Sequence, residues 1–267
     1  MSGPAPQLGY REIAAELRSA IPALKDRGVT RLPTQEELAE RYDVSITTVR
    51  RAIDVLEREG LIDRRRRSGT VIRQRPHLQY RMGTDRYAKS LWKFEETPPF
   101  KFDRLKSDGS WDPADQTQQV NKVAADEEMA EAFSVDPGTV LWERARLVTE
   151  DGRPTHTLTS YYLPEHVDGT PLIDDTPGPS SKGGGFQVLA LTGHEPQEIT
   201  ERISARMPTP DEREQLKLPE GEPVIVLQRL TFAAGDELVE FARGVHRASN
   251  FEWVYKFAIP ESPEEPV

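Results

Sequence analysis

The sequence predicts an α+β protein in two parts, a small helical head closed by a β-hairpin and a larger body in which helices accompany an antiparallel sheet. Three observations predict it. Apolar residues recur at helical spacing in three stretches before Gly60 and then give way to a short strand pattern. Beyond residue 85 a sequence of helix, Gly, strand, turn and returning strand occurs twice. The charge is also split along the chain. Residues 1–75 hold 15 Lys and Arg against 11 Asp and Glu, whereas the remainder holds 20 against 34, within a net charge of −10. A basic head on an acidic body is the balance expected if only the head meets a polyanion.

In the head, Ile13, Ala14, Leu17 and Ile21 line one face of a first helix, and Pro22 and Gly28 are expected to punctuate the chain after it. A second helix opens at Thr34-Gln35-Glu36-Glu37, where Thr34 and Glu37 can cap one another's amides. Leu38, Ala39 and Tyr42 form its inner face, and Asp43-Val44 make a short turn. Ser45 caps a third helix with Val49, Ala52, Ile53 and Leu56 inside, leaving Thr47, Thr48, Arg50, Arg51 and Arg58 outside until Gly60 closes it. Two helices joined by so short a turn, the second with Ser, Thr and Arg in its exposed first turns, make a helix-turn-helix, whose second helix enters the major groove of DNA. Leu61-Ile62 and Thr70-Val71-Ile72 then read as strands flanking four consecutive arginines, Arg64 to Arg67. Such a run is either a solvated loop or, directly after a helix-turn-helix, a wing facing phosphates or a minor groove.

In the body, one copy of the repeat has a helix from Asp126 to Phe133, Gly138, a strand from Val140 to Val148, a turn at Asp151-Gly152 and a return through Thr155 to Leu163. The second has a helix at Asp211–Leu216, Gly221, a strand Val224–Phe232, a turn near Gly235-Asp236 and a return from Leu238 to His246. Between the copies lie a short helix, Phe186–Leu191, and a strand from Ile199 to Ala205. Residues 174–185, rich in Pro, Ser and Gly, are expected to form a mobile loop and a lid over a ligand. The domains expected are a head over residues 1–75, a linker over 76–85 and a body over 86–267. Arg144 and Arg146, two apart on one strand with Trp142 beside them, share a face. They are either surface partners of the abundant carboxylates or a pair suited to a phosphate or carboxylate, which makes an anionic ligand the natural candidate.

Composition excludes several classes. No apolar run is long enough for a membrane span, and no secretory signal opens the chain, so a cytoplasmic location is expected. With zero Cys there is no disulfide, thiolate metal site or Cys nucleophile, and the five His are scattered, so no metal and no cofactor are expected. An enzyme is disfavoured by the absence of a G-x-S-x-G, H-E-x-x-H, P-loop or Rossmann pattern.

Residues 10–73 resemble GntR-family repressors, through Tyr10-Arg11-Glu12-Ile13-Ala14, Arg31-Leu32-Pro33-Thr34, Glu37-Leu38-Ala39, Val44-Ser45, Thr47-Thr48-Val49-Arg50 and Leu56-Glu57-Arg58-Glu59-Gly60-Leu61-Ile62. The resemblance implies DNA contacts from Ser45, Thr47, Thr48 and Arg50, and from a wing tip at Ser68, Gly69 and Thr70. Arg11 and Thr34, which stand in the matched motifs, join the set. Many members have Arg at the positions of Glu36 and Ile46, and Gly at that of Arg67; Arg51, Arg66 and Arg67 are candidates to replace the lost contacts. The operator sequence therefore does not carry over.

Residues 80–260 resemble, more diffusely, the UTRA effector domain of the HutC branch of that family, through Glu143–Leu147, Asp151–Pro154, Arg206–Glu212, Gly221–Val224 and Leu238–Glu240. The resemblance implies a chorismate-lyase-like fold, a homodimer on a palindromic operator in double-stranded DNA, and a small-molecule effector held by Arg144 and Arg146 with Glu240. His156 and Tyr161 on the returning strand complete the set with Phe186 and His246, which stand where Tyr is frequent. Tyr87, Trp92 and Trp111 are either core or the lining of a pocket for a more apolar ligand. The functional expectation is a ligand-responsive repressor. The alternatives are a ligand-independent DNA-binding control protein and, less favoured, a lyase-like enzyme.

Overall fold

A stripe of apolar residues builds the head. In α1 (Tyr10–Asp26) the side chains of Ile13, Ala14, Leu17 and Ile21 are all buried, as residues spaced three and four apart on one helical face must be if that face meets a core. The break expected at Pro22 does not occur. The helix runs four residues further because Leu24 still packs against the head's core, while Gly28, at φ 72°, turns the chain out of it. α2 (Gln35–Tyr42) opens on the expected reciprocal cap: the Glu37 amide donates to Thr34 Oγ1 at 3.2 Å and the Thr34 amide donates to the Glu37 carboxylate at 2.8 Å. Asp43, left-handed at φ 51°, ends it, and α3 (Ile46–Arg58) follows with Ser45 as its cap. Val49, Ala52, Ile53 and Leu56 of α3 close on the α1 stripe and on Leu38, Ile62 and Ile72.

The wing is longer than the hydrophobic pattern suggests. β1 (Ile62–Arg65) and β2 (Gly69–Ile72) pair antiparallel from Ile62↔Ile72 to Arg65↔Gly69, so Arg64 and Arg65 lie in a strand rather than in a loop. The segment before α2 adds to the wing's edge, with the Leu32 amide donating to Thr70 O and the Ile72 amide to Thr30 O, both at 2.9 Å.

The body is a six-stranded antiparallel sheet. Its elements in chain order are β3 (Gln79–Arg81), α4 (Lys89–Lys93), α5 (Pro99–Lys106), β4 (Gln116–Ala124), α6 (Glu127–Phe133), β5 (Val140–Glu150), β6 (Arg153–Tyr162), α7 (Pro164–Val167), α8 (Gly185–Leu191), β7 (Glu198–Arg206), α9 (Pro210–Gln215), β8 (Val224–Phe232), β9 (Leu238–Arg247) and β10 (Phe251–Trp253). The strand order β4-β5-β6-β9-β8-β7 sets the two expected hairpins side by side, joined through β6 and β9, with β4 and β7 at the outer edges. One face carries α6, whose Met129, Ala130 and Phe133 pack with Leu141, Tyr161 and Phe241. A second cluster gathers Tyr162, Val167, Leu172, Val188 and Leu189 around α7 and α8.

Two features depart from expectation. β4 is an edge strand with no apolar alternation to mark it in the sequence, because most of its polar side chains are not in the core. Within the stretch expected to be a linker, β3 pairs in parallel with β10, and Gln79 and Arg81 are buried. By contacts the chain divides into two units, residues 1–76 with 219–222 and residues 77–218 with 223–267. This computed structural model describes residues 8–65, 69–73, 78–107, 112–150, 152–176, 178–256 and 258–259. Arg66, Arg67, Ser68, Trp111 and Asp151 lie outside the described residues. Among those described, no helix is long and apolar enough to cross a membrane.

Candidate functional site

The first candidate surface is the outer side of α3. Ser45, Thr47, Arg50, Arg51 and Arg58 are exposed and Thr48 is half-buried, because the buried stripe of this helix takes the opposite side. Ser45 Oγ accepts from the Thr48 amide at 3.1 Å and lies 2.9 Å from Thr48 Oγ1, so these two residues hold the helix start as well as facing outward. Among the described residues, neither Arg50 nor Arg51 is in an ion pair, which leaves both guanidiniums available to an external acceptor. Ile46, at the first helical position, is 41% exposed and presents methyl groups on this surface. Arg11 is exposed and donates to Tyr10 Oη at 3.1 Å. Thr34 is exposed, although its hydroxyl is engaged in the α2 cap.

In the wing, Gly69 sits at φ 74° at the start of β2, a left-handed conformation that favours Gly; Thr70 is half-buried with its carbonyl engaged by Leu32. Arg64 is engaged within the head. It pairs with Asp54 and, through Nε at 2.9 Å, with Glu57, and so ties β1 to the back of α3.

The second candidate is a cleft of about 470 Å³ in the body. Its lining includes the rings of Tyr87, Trp92 of α4 and Phe186 of α8, together with Ile199 and Glu201 of β7 and Tyr255. Trp92 meets Phe186 edge-on at 6.0 Å, and Tyr87 lies 5.9 Å from the same ring. Beneath them the Arg229 guanidinium stacks on Phe186 at 5.3 Å and on Tyr87 at 5.9 Å. Tyr87 donates to Glu201, and Tyr255 donates to the same carboxylate at 3.3 Å. Burial first, and Glu201 second, raise the Tyr255 hydroxyl to about 12.

Under this floor is a buried polar network centred on Glu240. Its carboxylate accepts from Ser160 Oγ at 2.6 Å, Tyr162 Oη at 3.0 Å, Thr231 Oγ1 at 3.1 Å, and Arg229 Nε and Nη2 at 3.1 and 2.8 Å. Burial pushes this carboxyl up, but Arg229, Arg146 and the Ser160 hydrogen bond outweigh it, so it stays ionised below the usual carboxylate range.

The effector residues expected from the sequence are only partly brought together. Phe186 lines the cleft and Glu240 lies one layer below it, joined through Arg229. Arg144, 2% exposed, faces no ligand space; it donates to the carbonyls of Leu172 at 3.0 Å and Asp174 at 2.6 Å and to Gln118 Oε1 at 2.7 Å. Burial, then repulsion from Arg146, lowers its guanidinium to about 10. Arg144 thereby pins the segment expected to be a mobile lid, and Gln116 and Gln118 hold the same segment through the carbonyls of Gly178 and Thr176. Arg146 donates to Leu158 O at 3.1 Å and to Ser160 Oγ.

His156 and His246 face each other across β6 and β9 and stack at 4.8 Å with their planes 7° apart, beside Phe251 of β10 and away from the cleft lining. Burial, then the charges of His246 and Arg81 for the first and of Arg81 and Arg86 for the second, hold both imidazoles well below the ordinary histidine value. Tyr161 points to the other side of the sheet, onto Phe241. Adjacent strand residues face opposite ways, so Tyr161 cannot join a site built from Ser160 and Tyr162. The residues the sequence did not single out are Arg229, Glu201 and Tyr255; no spacing marks them, because they meet only when β7, β8 and the chain after β10 converge.

Residues 9–72 match the model of the gntR family of bacterial regulatory proteins, and residues 112–252 match the UTRA domain. An HTH-type transcriptional regulator of Streptomyces coelicolor is 42% identical over 95% of this chain and 94% of its own length. The HTH-type transcriptional regulator GgaR of Escherichia coli K12 is 27% identical over 79% of this chain and 75% of its own. A crystal structure of a GntR-family transcriptional regulator superposes with a TM-score of 0.63 at 26% identity, covering 95% of this chain and 99% of that one. These relatives are regulators, not enzymes. The chain belongs to the GntR family of transcription regulators and joins its helix-turn-helix to a UTRA domain.

Proposed function

We propose that this protein is a cytoplasmic, dimeric repressor that binds a palindromic operator through α3 and the wing, and whose operator affinity changes when a small molecule enters the cleft. The observation that carries the reading is the outer side of α3, where Thr47, Arg50 and Arg51 are exposed and the two arginines have no ion-pair partner among the described residues. Guanidiniums left in this state at the start of a recognition helix suit guanine edges and phosphates. Arg66, Arg67, Ser68, Gly69 and Thr70 supply the wing's contact. Ile46 stands where many relatives carry Arg, and its exposed methyl groups favour a thymine methyl at the base step it meets. A dimer spaces two such helices about one helical turn apart. Ligand and DNA then weaken each other's binding by the same factor, since the coupling is reciprocal.

The cleft lining supports a ligand chemistry other than the one expected from the sequence. An anionic effector was expected from Arg144 and Arg146, but both are occupied by protein acceptors. The lining of Tyr87, Trp92 and Phe186 favours instead a ligand with a flat apolar face and a hydrogen-bonding edge directed to Glu201 and Gln197. The saturation of Arg144, Arg146 and Glu240 by internal partners also favours the second reading, a control protein that binds DNA without an effector.

Selection of genomic fragments on the purified protein, repeated across salt concentrations, tests the DNA reading. Enrichment of an inverted repeat with a steep salt dependence supports it, and no enrichment at low salt removes it. Thermal shift against a metabolite collection separates the two readings of the body: a saturable hit abolished by Phe186→Ala supports the effector, and none supports the ligand-independent protein.

A further inference from the structure

We propose that His166, His194 and Glu237 form a binding site for one divalent transition-metal ion of the Zn²⁺ class. The three residues come from separate parts of the body. His166 lies on α7, His194 follows α8, and Glu237 stands in the turn between β8 and β9. Their ligand atoms all fall within 4.8 Å of one another. His166 Nε2 is 3.0 Å from Glu237 Oε1, and His194 Nδ1 is 3.2 Å from Glu237 Oε2. The two rings are 4.3 Å apart. Ligands at about 2.0–2.1 Å from a tetrahedral metal lie roughly 3.4 Å from each other, so the two histidine–carboxylate spacings open slightly and the three donors, already within 4.8 Å, adjust around an ion that replaces the shared hydrogen bonds.

The backbone under each donor is fixed. The His194 amide donates to Leu189 O at 2.9 Å, beyond Gly193 at φ 92°, which reverses the chain at the end of α8. The hairpin bearing Glu237 is closed by the Ala233 amide on Glu237 O at 2.8 Å. The His166 amide donates to Leu163 O at 3.1 Å. Donors held in this way lose little freedom when they ligate.

The chemistry of the donors selects the ion. Two imidazoles and one carboxylate suit Zn²⁺, Ni²⁺ or Co²⁺ rather than Mg²⁺ or Ca²⁺, which require oxygen ligands. In the metal-free protein His166 Nε2–H donates to Glu237, so ligation moves that proton to Nδ1, which is buried with no hydrogen-bond partner among the described residues. His166 is 4% exposed, whereas His194 and Glu237 are 23% and 43% exposed, which gives an ion an entry path and leaves an open coordination position towards solvent. The site lies at the C-terminal end of α8, the helix that carries Phe186 at its other end. An ion there fastens a wall of the cleft to α7 and to the β8–β9 turn.

The test uses full-length protein without a histidine tag, stripped with a chelator and dialysed. Zn²⁺ is titrated calorimetrically, and Co²⁺ by its visible ligand-field absorption. Wild type is expected to bind one ion per chain, with an upward shift in Tm. His194→Ala and Glu237→Gln, both at partly exposed positions, are expected to weaken binding at least about tenfold and to lose the shift, while unfolding at the same temperature as metal-free wild type. With no Cys in the chain there is no thiolate to compete. Absence of saturable binding overturns the proposal, and so does binding undiminished in both variants; the cluster is then only a carboxylate shared by two imidazoles.

Discussion

Arg229 of β8 reaches diagonally to Glu240 of the neighbouring strand β9, and two nitrogens of one guanidinium converge on a single carboxylate oxygen, at 3.1 and 2.8 Å. Both side chains are almost fully buried. The same guanidinium supports the rings of Phe186 and Tyr87 on its opposite side, so the pair joins the interior of the sheet to the floor of the cleft. Removing one member leaves a buried charge without its counterion. Glu240→Ala is therefore expected to destabilise the body by about 3–5 kcal/mol, read as a lowered midpoint in urea. Replacing both by apolar residues, as in Arg229→Met with Glu240→Leu, should recover much of that loss; a double variant no better than the single one would mean that the pair is not energetically coupled.

The stacked histidines predict a dependence on mild acid. Both have folded-state values well below their unfolded ones, so the unfolded chain takes up protons that the folded chain refuses. Stability is then full above the unfolded value, about 6.5, and declines as pH falls below it, by up to about 1.4 kcal/mol per unit for each histidine. Denaturant midpoints between pH 7.5 and 5 measure the slope. His246→Phe should reduce it, whereas an equal slope in that variant would place the titrating groups elsewhere. The depressed Glu240 acts at lower pH: its contribution is present above the ordinary carboxylate range and disappears as pH falls through its folded value.

On α3, Arg50→Ala is expected to leave the fold unchanged and to weaken operator binding by about 1–3 kcal/mol. A loss confined to the preferred sequence assigns Arg50 to a base. A uniform loss with a shallower salt slope assigns it to phosphate. Unchanged affinity would count against α3 as the reading helix.

Ser45 separates capping from recognition. Ser45→Ala should cost about 1 kcal/mol of stability through loss of the bond to the Thr48 amide. Ser45→Asp retains a capping oxygen but directs a negative charge towards the DNA, so stability should be kept while affinity falls. A variant that keeps both would show that Ser45 does not approach phosphate.

Much of the head was legible because its signals are local. Thr34 and Glu37 are three residues apart, and the α3 stripe repeats within four turns of one helix, so each could be read without knowing what lay opposite. The second hairpin, Val224–Phe232 with its return from Leu238, was legible for the same reason. β4 was not, since an edge strand with polar side chains carries no alternation between core and solvent. β3 was not, since three residues pair only with a strand more than 160 positions later.

The chain by itself determined most of the element types, the helix-turn-helix with its outward arginines, and the two hairpins of the body, because propensity, capping and periodicity act over a few residues. Tertiary structure alone decided what the charged residues do. Arg144 and Arg146 share a strand face, as their spacing requires, yet that face is covered, so they serve backbone carbonyls and Ser160. Arg64 stands in an arginine run but meets Asp54 and Glu57. His166, His194 and Glu237 have no motif spacing and become neighbours only when α7, the end of α8 and the β8–β9 turn meet. A charge acts through whatever lies within a few ångströms of it, and that neighbourhood is set by chain topology rather than by sequence spacing.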